Sequence, residues 1–318
     1  MVGIRRTITD DLPSEAVIFG ASAPMQDLRV HVESTLSCHT PFLVQGESGI
    51  GKQLVARYVH QRSERGQGPF VSIGCCGMPP KVLERELFGY EKDAFQGIRS
   101  GRNGLVDAAE GGTLFISQIE DMHLNLQEKL LRLLREGSYT RVGDTVERRA
   151  NVRVICSTKL ELLSEVSLGR FRQDLFCCVS ALCLRPSALR KRKEDIPVLW
   201  DFFAERMANK FKKSPPRLTM PVLQILEEWY WPGNLRELEN RVARSVILGE
   251  IEALVTELRY ELARKDAVDP LHDTSSMARS DSSRSLRTPW GDVPLNRLGE
   301  WIIRNGPEGY RSRYRKPH

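Results

Sequence analysis

Gly46-Glu47-Ser48-Gly49-Ile50-Gly51-Lys52 has the spacing G-x-x-x-x-G-K. Glycines so placed let backbone N–H groups wrap phosphate oxygens, and the lysine reaches the outer phosphates. The run stands between a short apolar stretch, Pro41–Gln45, and an amphipathic one, Lys52–His60. Strand, loop and helix in that order aim a helix N-terminus at the phosphates, where its partial charge is favourable. The chemistry expected is the binding of ATP or ADP through Gly46 to Lys52; an incidental glycine turn is the alternative. Gln53 stands where a Ser or Thr hydroxyl usually ligates magnesium. Mg2+ is therefore only weakly supported, and no protein metal site is expected.

The elements around that loop alternate. Gly68–Cys75, Gly112–Ser117, Asn151–Ser157 and Ala181–Leu184 read as buried strands; Lys81–Phe88 and Leu126–Arg135 read as helices between them. Such alternation predicts a parallel sheet covered on both faces. After Pro186 the period changes. Glu194–Phe211, Pro221–Trp229 and Asn234–Leu248 carry apolar residues at helical spacing, so a small all-helical domain should follow the α/β core. Residues beyond about Asp266 are rich in Ser and Arg, with little to bury. The organisation expected is a leader over 1–16, an α/β nucleotide-binding core over 17–186, a helical lid over 187–262, a linker over 263–289 and a basic tail over 290–318.

At 318 residues, with 41% hydrophobic and 28% charged residues, the chain has the balance of a soluble globular protein. No run approaches the ~20 apolar residues of a membrane helix, and Met1 to Asp11 lacks the apolar stretch of a signal peptide. Cytoplasmic localisation is expected. The seven cysteines are odd in number and lack a C-x-x-C, so they are expected to be free thiols, mostly buried. Net charge is +6, and from Arg279 onward nine Lys or Arg face four Asp or Glu. That tail is read as solvated, with non-specific phosphate contact by Arg311–Lys316 as the alternative.

GESGIGK, ELFGYEKDAFQG, GGTLFISQIEDM, LQEKLLRLLREGSYTRVG, NVRVICST, GRFRQDLF and WYWPGNLRELEN occur in the order found in sigma-54-dependent transcriptional activators. The chain resembles those bacterial enhancer-binding proteins of the AAA+ ATPase class over residues 17–250. The resemblance implies an AAA+ P-loop core with a helical lid, nucleotide at their junction, ring assembly with itself or with AAA+ homologues, and ATP-driven work on sigma-54 RNA polymerase.

Residue by residue, that resemblance also exposes departures. The second nucleotide motif of the family ends its strand in Asp-Glu, the Asp for magnesium and the Glu for the attacking water. Here the pair is Ser117-Gln118. Gly74 stands at the family's switch asparagine and Lys159 at the Asn that follows Ser-Thr. Of two arginine fingers, Arg172 remains and the other position is Cys178. Arg236 matches the lid arginine that senses nucleotide. A general base contributes ~10²–10⁴ in rate, and a trans arginine ~10³–10⁵. Loss of the base and of one of the two arginines predicts dead or very slow hydrolysis, while the loop, Lys52 and Arg236 still predict ATP binding. In the loop that contacts polymerase, Phe95 and Gly97 match, whereas Gln96 replaces the threonine; residual or altered engagement is expected. Neither a helix-turn-helix in 291–318 nor a receiver domain before residue 17 is legible, so specific DNA binding is not expected from this chain. A working ATP-hydrolysing activator and a nucleotide-gated scaffold unrelated to polymerase are the competing readings.

Overall fold

The computed structural model describes residues 12–38, 40–92, 100–249, 251–268, 285–288 and 291–294. The chain divides into two units, Met1–Leu262 and Ala263–His318. In the first, α1 (Glu15–Phe19) and α2 (Ala23–Ser34) precede β1 (Phe42–Gln45). Next come α3 (Lys52–Arg62), β2 (Phe70–Gly74), α4 (Pro80–Phe88), α5 (Leu105–Ala108) and β3 (Thr113–Ser117). The core continues through α6 (Leu124–Glu136), the short pair β4 (Ser138–Tyr139) and β5 (Arg148–Arg149), β6 (Arg153–Thr158), α7 (Leu162–Ser167), α8 (Gln173–Val179) and β7 (Cys183–Leu184). After that the described residues of this unit form helices and no strand: α9 (Ile196–Phe211), α10 (Met220–Glu228), α11 (Asn234–Leu248) and α12 (Ile251–Val268), the last of which runs on past residue 262.

Five strands pair in the order β2-β3-β6-β1-β7, all parallel. Successive side chains of a strand point to opposite faces, and the core divides accordingly. Leu43, Val71, Ile73, Leu114, Ile116 and Val154 pack with α4, α6 and α8. Phe42, Val44, Phe70, Phe115 and Ile155 pack with α1, α2 and α3. A third apolar cluster belongs to the helical part, centred on Trp200, Leu226, Trp231 and Leu238. The parallel three-layer core and the helical lid are thus as expected, and the element ends agree within about two residues.

Some details differ from expectation. The end of the segment read as a leader packs on the core: Leu12 lies against the cluster under α1, and Glu15 opens α1 and accepts from the Tyr58 hydroxyl. α12 runs into the expected linker as far as Val268, and β8 (Ser285–Thr288) of the linker pairs antiparallel with β9 (Gly291–Pro294) of the expected tail. All seven cysteines are free, but only Cys75 and Cys156 are buried. Cys183 lies in the two-residue edge strand β7 and is exposed, as are Cys76 and Cys177. For Cys183 an apolar neighbourhood in sequence did not suffice, because β7 is the edge of the sheet and has no second neighbour; Cys76 sits in the turn after β2, and Cys177 on α8. Among the described residues no helix is long and apolar enough to cross a membrane.

Candidate functional site

Gly46 to Gly51 connect the end of β1 to the start of α3. Gly49 (φ 77°) and Gly51 (φ 96°) are left-handed, a region glycine enters without steric cost. Lys52 is the first residue of α3, and its ammonium donates to the carbonyls of Gly46 (2.6 Å) and Glu47 (2.8 Å). The strand–loop–helix read from the sequence is therefore formed, and the first turn of α3 opens onto a cavity.

That cavity is about 1060 Å³. Its polar lining includes Ser48, Lys52, Gln53, Ser117, Gln118, Lys159 and Arg236. Its apolar lining includes Val17, Ile18, Leu199, Phe202, Phe203 and Leu235. Both the core and the helical part contribute walls. A mixed lining of this size suits a nucleotide, whose base is apolar and whose phosphates are charged.

The carboxyl ends of β3 and β6 contribute to the lining, as expected for ligand sites of open α/β sheets. Gly74 of β2 lies in register with Ser117 of β3, and Ser117 with Ser157 of β6. These are small, neutral residues. The Ser117 hydroxyl donates to the Ile73 carbonyl at 3.3 Å. Gln118 adopts φ 56°, uncommon for a residue with a side chain. It ends the strand and starts the turn Ile119–Asp121.

Within that turn sits a carboxylate that the sequence reading passed over. Glu120 is 8% exposed. One of its oxygens accepts from the Lys159 backbone N–H at 3.2 Å, and the other is buried without a hydrogen-bond partner. Burial pulls the Lys52 amine below its ordinary pKa; the Glu120 charge opposes this, while Arg236 and Lys159 act with burial. Three cations and one hidden anion therefore share this corner.

The helical part docks on the loop through Arg236, expected from the sequence, and through Asn234, Arg190 and Arg192, whose roles the sequence did not assign. Asn234 opens α11 at φ 51°. Its side chain donates to Glu47 and to the Ser48 carbonyl, both at 3.1 Å, and accepts from the Leu189 N–H at 2.9 Å. Arg190 grips Glu47 with two hydrogen bonds, at 2.8 and 2.5 Å. Those hydrogen bonds, Arg190 first and then Asn234, hold the Glu47 carboxyl down at about 2. Arg236 reaches the Ser48 hydroxyl at 3.3 Å. Buried Arg192 donates to the Ile50 carbonyl at 3.3 Å, and burial lowers its pKa to about 10.

Arg172 is elsewhere. It caps α8 and forms a two-pronged pair with Asp174 (3.0 and 2.8 Å), with Glu128 at 3.4 Å. Asp174 raises its pKa further. It lines a second cavity of about 590 Å³, with Arg132, Arg135 and Tyr139, and not the one beside Lys52. The structure therefore brings together Gly46 to Gln53, Ser117, Gln118 and Arg236, and leaves Arg172 apart. Phe95, Gln96 and Gly97 lie outside the described residues.

Comparison with known proteins agrees with this geometry. Residues 18–185 match the Sigma-54 interaction domain family, and residues 190–273 match the AAA+ ATPase lid domain. The anaerobic nitric oxide reductase transcription regulator NorR of Vibrio vulnificus is 38% identical over 262 residues, which are 82% of this chain and 50% of that protein. The response regulator PilR of Pseudomonas aeruginosa is 38% identical over 247 residues, 78% of this chain and 56% of that one. Among solved structures, NtrX from Brucella abortus in complex with ADP superposes with a TM-score of 0.68 at 36% identity, over 73% of this chain and 51% of NtrX. The NtrX complex with ATP gives 0.68 at 35% identity, over 74% and 51%. The chain spans about half the length of the curated relatives it matches. With a phosphate loop before α3, a parallel five-stranded sheet and a helical lid closing over the loop, the chain belongs to the sigma-54-dependent activator family of AAA+ proteins.

Proposed function

We propose that this chain is a nucleotide-binding subunit in sigma-54-dependent transcription regulation whose own hydrolysis is absent or very slow. The observation that carries the reading is the contrast at one cavity. The loop, Lys52 and Arg236 stand ready for phosphates, while the strand end that would hold metal and activate water offers Ser117 and Gln118. A glutamine amide is no base at neutral pH, and a general base is worth ~10²–10⁴ in rate. Glu120 does not make up the loss, because it is buried and lies outside the cavity lining.

Binding needs less. Backbone N–H groups, the α3 N-terminus and Lys52 supply a phosphate cradle without any carboxylate. The relatives named above include transcription regulators, and NtrX has been seen with ADP and with ATP. By that kinship we assign ATP or ADP as the ligand, sigma-54 RNA polymerase as the target, and a ring of AAA+ subunits as the working form. The experiment is one preparation measured twice, by equilibrium titration with ATP and by steady-state phosphate release. Saturable binding in the micromolar to millimolar range with turnover at background is expected. Turnover near one per second, an ordinary enzyme rate, overturns the silent-site reading in favour of a working activator.

A further inference from the structure

The residues of the cavity do not fit the magnesium ion that the fold implies. Hard divalent cations take oxygen ligands, carboxylates above all. Among the described residues that line the cavity, the one carboxylate is Glu239, and it faces Arg206 at 3.3 Å. Ser117 gives its proton to a backbone carbonyl, and Gln53 and Gln118 offer neutral amides. Glu47 is held by Arg190 and Asn234.

Where the anions are missing, a cation has been added. Lys159 directly follows β6 and lines the same cavity as Lys52 and Arg236. Its backbone is fixed on two sides: its N–H donates to Glu120, and the Thr158 hydroxyl accepts from the Leu160 N–H at 3.0 Å. Glu120 thus acts as a positioning residue for the segment that carries Lys159. An ammonium here attracts phosphate and repels a divalent cation, since like charges a few ångströms apart cost on the order of kilocalories near a protein surface.

We propose that the site binds ATP and ADP without a divalent cation, the phosphate charge being met by Lys52, Lys159 and Arg236. This rests on the nucleotide-binding reading above. The test is calorimetric titration of the full chain with ATP and with ADP, in magnesium chloride and in excess EDTA. Affinities in the two buffers should agree within about threefold. Lys159→Ala should lose about tenfold in EDTA, the scale of one charged hydrogen bond. Lys159 is exposed, so its removal should leave the thermal unfolding midpoint in place. The double variant Ser117→Asp/Lys159→Asn should gain magnesium dependence, with tighter binding in magnesium than in EDTA. Binding by the wild type that weakens tenfold or more in EDTA overturns the proposal and leaves nucleotide binding standing. Equal affinity of wild type and Lys159→Ala in EDTA overturns the role of Lys159. Failure of either nucleotide to titrate in both buffers overturns this proposal together with the nucleotide-binding reading.

Discussion

Single residues decide whether this site holds phosphate and at what pH its frame survives. Lys52 sits at the first position of α3 with its ammonium folded onto the loop carbonyls, so it is already gathered where phosphate oxygens would lie. Lys52→Ala should lower ATP affinity by about ten- to hundredfold, read by titration; unchanged affinity would place the phosphates elsewhere. Glu47 gives a pH signature. Its folded-state pKa of about 2 lies below its ordinary 4.5, so the folded form binds the proton less readily than the unfolded chain. The stabilisation is therefore fully present above pH 4.5 and is lost as pH falls toward about 2. Partial exposure and solvent screening keep the effect small. The urea midpoint of the wild type should fall across that window, and that of Glu47→Gln should fall less. Parallel acid limbs would show that the Arg190–Glu47 pair adds nothing to folding.

At the scale of elements, the seam between loop and lid matters more than either alone. A Cβ on Gly49 would stand 2.3 Å from the Gly233 carbonyl oxygen, and Gly49 has φ 77°. Gly49→Ala should therefore push α11 off the loop, costing about 1–3 kcal/mol. A lowered melting temperature together with weakened ATP binding is expected; a neutral result would mean that the seam yields at no cost. Asn234 has the opposite use of backbone freedom, since Asn is among the residues that tolerate the left-handed region. Its amide bridges Leu189, Glu47 and Ser48, tying three segments at one point. The α3 helix, the β3 end and the α11 start were each legible from sequence periodicity. Their meeting was not, because Asn234 and Glu47 are 187 residues apart.

For the whole molecule the open matter is assembly, and Arg172 is the residue on which it turns. It lies away from the cavity beside Lys52 and is paired with Asp174, both residues half-buried. Solvent still reaches the pair, and pairs screened by solvent are worth about 0–1 kcal/mol, so the guanidinium can be released to a neighbouring subunit at small cost. We expect this chain to join a ring with a hydrolytically active homologue and to change its turnover. Mixing the two and following both size and ATPase rate is the check. Arg172→Ala should remove the change in turnover while leaving this chain's own affinity for ATP as it was. A mixture with neither a mixed oligomer nor altered turnover would defeat the regulatory-subunit reading and favour the scaffold.

Local pattern alone fixed the phosphate loop, because G-x-x-x-x-G-K between an apolar run and an amphipathic one states its chemistry within a dozen residues. It also fixed the strands and helices, since burial on both sheet faces forces continuous apolar runs and a helix buries one stripe. The neutral strand end at Ser117 and Gln118 was equally legible, being a matter of residue type at a known place in the motif. Three-dimensional packing decided the rest. Glu120 reads in sequence as one more acid in a turn, and only folding buries it beneath Lys159. The cysteines looked buried because their neighbours in sequence are apolar, yet Cys183 falls on the exposed edge strand. Arg190 and Arg192 carry no motif of their own, and Asn234, though inside a motif, gains its role like them from facing a loop some 140 to 190 residues away. Charge and burial depend on what faces a side chain across the fold, and spacing along the chain does not encode that.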